Sequence, residues 1–254
     1  MESSILITEI KFFNILQKGS NSCIFAAQKR FSESHHSLTF TKTSKLTINM
    51  TGRKIHLISG LILSIYIGLH LFNHVCSVYS IDKHIEIMNE LRHIYRNVFI
   101  ETILIITVYI QIISGVGLFI VHRKTAFTSF EKLHIWTGLY LAIFFVIHLS
   151  AVLAGRYILH LDTNFYFGAA GINYFPFNLF FIPYYALAII SFFGHIASIY
   201  AKKIKLNILN LTPKFQAKII LVFGLIFTLI VFYGLTNHFQ GVQIPKEYNI
   251  LIGE

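Results

Sequence analysis

Five stretches of this chain, at about 55–77, 98–121, 133–155, 178–200 and 217–237, are long and almost purely apolar. A helix needs about 20 apolar residues to cross the hydrocarbon core of a bilayer, and each stretch reaches that length. All five are rich in Ile, Leu, Phe and Tyr, and none has the two-residue alternation of an outer-membrane barrel. Lipid cannot satisfy backbone polar groups, so the expected fold is all-α: a polytopic membrane protein with five transmembrane helices. The whole chain agrees, with 55% hydrophobic and 13% charged residues and a mean hydropathy of +0.64.

The positive residues divide between the two sides of such a bundle. Sixteen Lys and Arg fall in the N-terminal segment and the 121–132 and 201–218 loops, against five on the other side. The positive-inside rule then puts the N-terminus in the cytoplasm and the C-terminus outside. The net charge of +10 is a topology signal and gives no reason to expect nucleic acid. Three regions follow. Residues 1–49 form a polar extension, either disordered ahead of a natural start at Met50 or a transit peptide. Residues 50–240 form the five-helix domain, and 241–254 a short external tail. The expected location is a bacterial inner membrane, or a mitochondrial inner membrane if the leader is a transit peptide. Cys23 and Cys76 offer no disulfide or metal motif.

Helices 1 and 3 carry one frame twice. HLISGLILSIYIGLHL (56–71) and HIWTGLYLAIFFVIHL (134–149) share the pattern HxxxGLxLxIxxxxHL. Helix 2 lies between them, so they run in the same direction. Fourteen residues make nearly four turns, so His56 shares a face with His70, and His134 with His148. Along the axis the members of each pair are about 21 Å apart. Two facing helices would thus offer opposed histidines at two depths, as two stacked bis-histidine haems require. Gly60 and Gly138 would let a flat macrocycle or a neighbouring backbone approach. Ionisable groups within a bilayer are costly and usually functional.

SGLILSIYIGLHL and TGLYLAIFFVIHL resemble the first and third helices of the five-helix cytochrome b subunit of succinate dehydrogenases and fumarate reductases. IPYYALAIISFFGHIASIYAKK resembles its fourth helix. The likeness covers residues 50–237. It implies a membrane subunit that passes electrons between a quinone and flavoprotein and iron–sulfur partner subunits through haem b. It also implies that His70 and His148 hold one haem, and that His195 and a histidine of helix 2 hold a second.

Helix 2, FIETILIITVYIQIISGVGLFIVHRK, has Gln111 and Ser114 at its middle and no histidine there. Three arrangements remain open. His56 and His134 hold the second haem, which the repeated frame favours; His195 pairs with one of those two; or there is one haem, on His70 and His148. His74 is a rival to His70, with a polar role near the surface expected instead. His84, His93, His160 and His238 are expected in solvated external loops. The aromatic segment 156–185 is expected to be an external loop at the membrane interface, and Pro183 to sit near the start of helix 4. Gln111, Ser114, Ser59 and Thr137 are expected to bond between helices, with a quinone pocket as the other use. The chain has no GxGxxG, P-loop, CxxCH or cysteine cluster, so flavin or substrate chemistry would belong to a partner. The alternative is a haem-free membrane anchor or assembly protein of the same fold. A histidine-relay transporter fits less well, because Glu101 is the one acid in a helix interior and the repeat is parallel rather than inverted.

Overall fold

The computed structural model describes residues 42–253, with side chains from residue 52 onward. The chain divides into two compact units, Met1–Thr51 and Gly52–Glu254. Of the first, only helical backbone from Lys42 is described, so helix already runs through the last part of the 1–49 extension. The reading of residues 1–41, with Cys23, lies outside the described residues.

Seven α-helices follow one another: α1 Lys42–Cys76, α2 Ile81–Tyr95, α3 Val98–His122, α4 Ser129–Tyr157, α5 Phe165–Asn173, α6 Asn178–Lys203 and α7 Pro213–Leu235. A 3-10 helix, Lys246–Leu251, comes last. Five helices are long and apolar enough to cross a membrane: α1 from Gly52 on, α3, α4, α6 and α7. Their starts carry local signals. Asn97 caps α3, Thr128 and Glu131 form a reciprocal capping box on α4, and Thr212 followed by Pro213 opens α7.

Helix α6 is the spine, packing against α4 on one side and α7 on the other, while α4 also packs against α3. Small residues make these approaches close. A Cβ on Gly194 of α6 would lie 3.0 Å from the Thr137 methyl of α4, and one on Gly224 of α7 would lie 2.5 Å from Phe193 Cβ of α6. Outward residues such as Ile65, Ile113 and Leu229 are exposed and apolar, as lipid-facing positions should be. Pro183 sits in the second turn of α6, inside the helix, and leaves Leu179 O without its helical partner.

Two expectations need correction. The 156–185 segment is not a surface loop. Its middle forms α5, in which Phe165, Ala169, Ala170 and Ile172 are all 3% exposed or less. Phe165, Ala169 and Ile172 join Leu71, Ile189, Val231 and Leu235 in one core; the Gly and Ala between the aromatics let the short helix bury itself. His84 is not solvated either: it is 2% exposed on the inner face of α2. Ile81, His84, Ile85 and Met88 follow the i, i+3, i+4, i+7 pattern of an amphipathic helix, and His84 lies within the apolar stripe. The tail is also tied down. Tyr248 is 1% exposed, and its hydroxyl donates to Asp162 O at 2.9 Å.

Candidate functional site

The repeated frame supplies one histidine of α1 and one of α4 to each of two clusters. His70 and His148 meet in one, and His56 and His134 lie in the other. Because the order is the same in both helices, α1 and α4 run parallel.

In the first cluster the ring centres of His70 and His148 are 6.3 Å apart. Each ring is set by an aromatic one turn earlier. Tyr66 lies nearly parallel to His70 with centres 6.0 Å apart, and Phe144 to His148 at 4.9 Å. These aromatics occupy the same position of the frame, a signal the alignment of the two helices already contains. His74 extends the cluster. Its Nε2 is 3.2 Å from His70 Nε2, and its Nδ1 is 3.3 Å from His84 Nε2. The Asn73 amide donates to His84 Nε2 at 3.1 Å. His74 is therefore a link between His70 and α2, deeper than the surface role expected of it. Burial, then the nearby His70 and Arg92, push the His84 ring down to about 4.

His70, His74, His84 and His148 line a cavity of about 300 Å³, the lower end of the range for ligand pockets. Arg96 and Arg156 line it too. Arg96 donates to Thr163 at 2.9 Å and lies 3.8 Å from Asp162, and Arg156 pairs with Glu101. The cavity thus has mainly apolar walls, two imidazoles from α1 and α4, and a polar end where Arg96 lies near Asp162 and Arg156 is paired with Glu101, which lines the cavity too. The sequence marks Glu101 as an odd acid in a helix, and Arg156, in the last turn of α4, is its partner.

The second cluster takes His56 from α1, His134 from α4 and His195 from α6. His195 and His134 stack with centres 4.2 Å apart and planes 21° apart. His195 and His56 are 6.5 Å apart at 72°. Gln111 and Ser114 of α3 reach into this cluster. Ser114 Oγ is 2.8 Å from His56 Nδ1, Gln111 Nε2 is 3.2 Å from His56 Nε2, and Ser59 donates to Gln111 Oε1 at 2.6 Å. A Cβ on Gly138 would lie 3.1 Å from His195 Cε1, and one on Gly60 would lie 3.3 Å from the Gln111 amide. Both glycines therefore give room to side chains of the cluster. Of the other histidines, His93 and His160 are exposed, and so is His238, whose ring reaches Val78 O at 2.9 Å.

The chain matches no family model, no curated protein and no solved structure.

The spacing of the rings tests what could be held. An imidazole nitrogen binds a metal at about 2.0–2.1 Å, and its ring centre is about 1.1 Å further, so two rings sharing one ion from opposite sides have centres about 6 Å apart. His70 with His148 fits this span, as does His56 with His195. His134 with His195 does not, because their faces are in contact. Among the described residues, no group of three or more His, Cys, Asp or Glu is arranged for a bare ion. A metal held by either pair must bring its other ligands, as haem iron does.

Proposed function

We propose that the chain is a membrane electron carrier that holds haem b between His70 and His148 and exchanges electrons between a quinone and a partner protein. The observation that carries this reading is the pair of imidazoles from α1 and α4, with ring centres 6.3 Å apart, on the wall of one cavity. The sequence resemblance to the cytochrome b subunit of succinate dehydrogenases and fumarate reductases supports the quinone and the flavoprotein and iron–sulfur partners. A haem bound there supplies a one-electron couple within the apolar interior. The chain's own residues do the rest. Tyr66 and Phe144 hold the two rings in position, and Arg96 and the Arg156–Glu101 ion pair close the polar end of the cavity. To hold the haem His70 would give up its contact with His74, and His84 would keep His74 in place.

The test is a reduced-minus-oxidised spectrum of the protein purified in detergent, with haem counted per chain. Sharp b-type bands that a quinol reduces are expected, and His148→Ala should remove the haem of this cavity. A wild-type protein without haem would sink the proposal and leave the anchor or assembly reading. That reading is favoured by the way His70, His74 and His84 already bond to one another.

A further inference from the structure

The corner between α2 and α3 holds two guanidinium groups and one carboxylate. Arg92 lies in the last turn of α2 and Arg96 caps it, four residues on, so the two share a face. Asp162 serves Arg92. Its Oδ1 lies 2.8 Å from Arg92 Nη2, and its Oδ2 accepts from Arg92 Nη1 at 3.2 Å. This is the two-pronged fit of carboxylate to guanidinium. Arg96 is 3.8 Å from Asp162 Oδ1, too far for a hydrogen bond. It donates from Nη2 to Thr163 at 2.9 Å, and its Nη1 has no hydrogen-bond partner among the described residues. One carboxylate thus faces two cations, and the charge of Arg96 is the one left over.

Arg92 and Arg96 line an open pocket with Asn89, His93 and Asn97, and no acid lines it. Asn97 is also the N-cap of α3, so the positive end of that helix adjoins the pocket.

Two further observations say what kind of anion fits. The first is depth. From Val98 onward α3 is long and apolar enough to cross a membrane, so the pocket lies where headgroups meet hydrocarbon. Ile94, Val98 and Phe99 next to it are apolar and exposed. The second is the distribution of charge. This side of the bundle has five Lys and Arg against sixteen on the other, and two of the five stand one turn apart at this corner. A side that is otherwise poor in cations concentrates them here.

We infer that this pocket binds the phosphate of an anionic phospholipid headgroup. Arg96 is its main contact, because a guanidinium can meet two phosphate oxygens at once. Arg92 is a positioning residue: it holds Asp162 and so keeps that carboxylate from closing on Arg96. The acyl chains run along Ile94, Val98 and Phe99. The inference is independent of haem.

The test uses the full-length protein in detergent, a photoactivatable phosphatidylglycerol as probe, and mass spectrometry to map the labelled peptides. Label is expected within residues 89–99, and unlabelled phosphatidylglycerol should displace it at about tenfold lower concentration than phosphatidylcholine does. Arg96→Gln should weaken labelling there about tenfold, and Arg96→Lys, which keeps the charge but not the fork, should weaken it less. Where Arg96→Gln fails to fold, the wild type alone carries the test: about 1 M salt should abolish the preference for phosphatidylglycerol. Label confined to the basic 121–132 and 201–218 loops would overturn the inference. Equal displacement by the two lipids would do the same, as would labelling unchanged in Arg96→Gln. Displacement by inorganic phosphate as effective as that by phosphatidylglycerol would overturn it too, by making the pocket a site for the free ion.

Discussion

The two histidine clusters lie in the same bundle and use the same helices α1 and α4, yet they are wired differently. At the His70 end the histidines bond to one another, in a chain from His70 through His74 to His84. At the His56 end the rings of His56 and His195 bond to groups that do not titrate: the Ser114 hydroxyl, the Gln111 amide and the His134 carbonyl. A chain of histidines can shift its protons along its length, and it answers as a unit when one member changes. Rings anchored on hydroxyls and carbonyls keep one proton arrangement. The first end is therefore built to respond and the second to hold still.

Breaking the chain should give the largest effect on stability. His84 is 2% exposed and packs edge-on against Phe165 with ring centres 5.2 Å apart. Removing it in His84→Ala leaves the Asn73 amide and His74 Nδ1 without partners and opens a void beside α5. A loss of about 3 kcal/mol is expected, seen as a fall of several degrees in Tm of the detergent-solubilised protein. An unchanged Tm would mean that α2 contributes no more than a surface helix.

Acid tests the same end more gently. The His84 ring is held at about 4 in the folded protein, chiefly by burial, but takes a proton near 6.5 in an unfolded chain. Between those values the unfolded state binds the extra proton, so stability should fall as the pH is lowered from about 6.5 toward 4 and level off above 6.5. His84→Gln should flatten part of that slope. The check is Tm against pH for both proteins, and parallel curves would exclude His84 as a source.

How much of this was legible beforehand differs between the same two ends. Hydropathy marks the five spans to within a few residues, because lipid leaves the backbone no other choice. The fourteen-residue spacing puts His56 on a face with His70 and His134 with His148, since that depends only on helix geometry, and the repeat of the frame matches His70 with His148. It says nothing about lateral order, so it could not show that α6 stacks His195 on His134 and brings it within 6.5 Å of His56. Nor could it place α5. A segment of Phe, Gly, Ala and Tyr reads as an interfacial belt until Leu71, Ile189 and Val231 are seen to receive it. The case of His84 is different. Its place in the apolar stripe Ile81, His84, Ile85, Met88 is visible in the sequence, and a period of 3.6 there identifies a helix where a loop was expected.

The smallest expected effect probes the second end. Ser114 accepts from His56 Nδ1 at 2.8 Å and donates to Ile110 O at 2.6 Å. In Ser114→Ala the His56 ring loses the bond that fixes its proton, while Gln111 still holds Nε2. One neutral hydrogen bond is worth about 1 kcal/mol, so Tm should fall by only a few degrees. Ser114→Thr keeps the hydroxyl and should stay close to wild type. The pair of variants separates bonding from packing: equal losses in both would show that the volume at position 114 matters and the hydroxyl does not. A loss in the alanine variant alone would show that His56 is held by the bond, as the contrast between the two clusters requires.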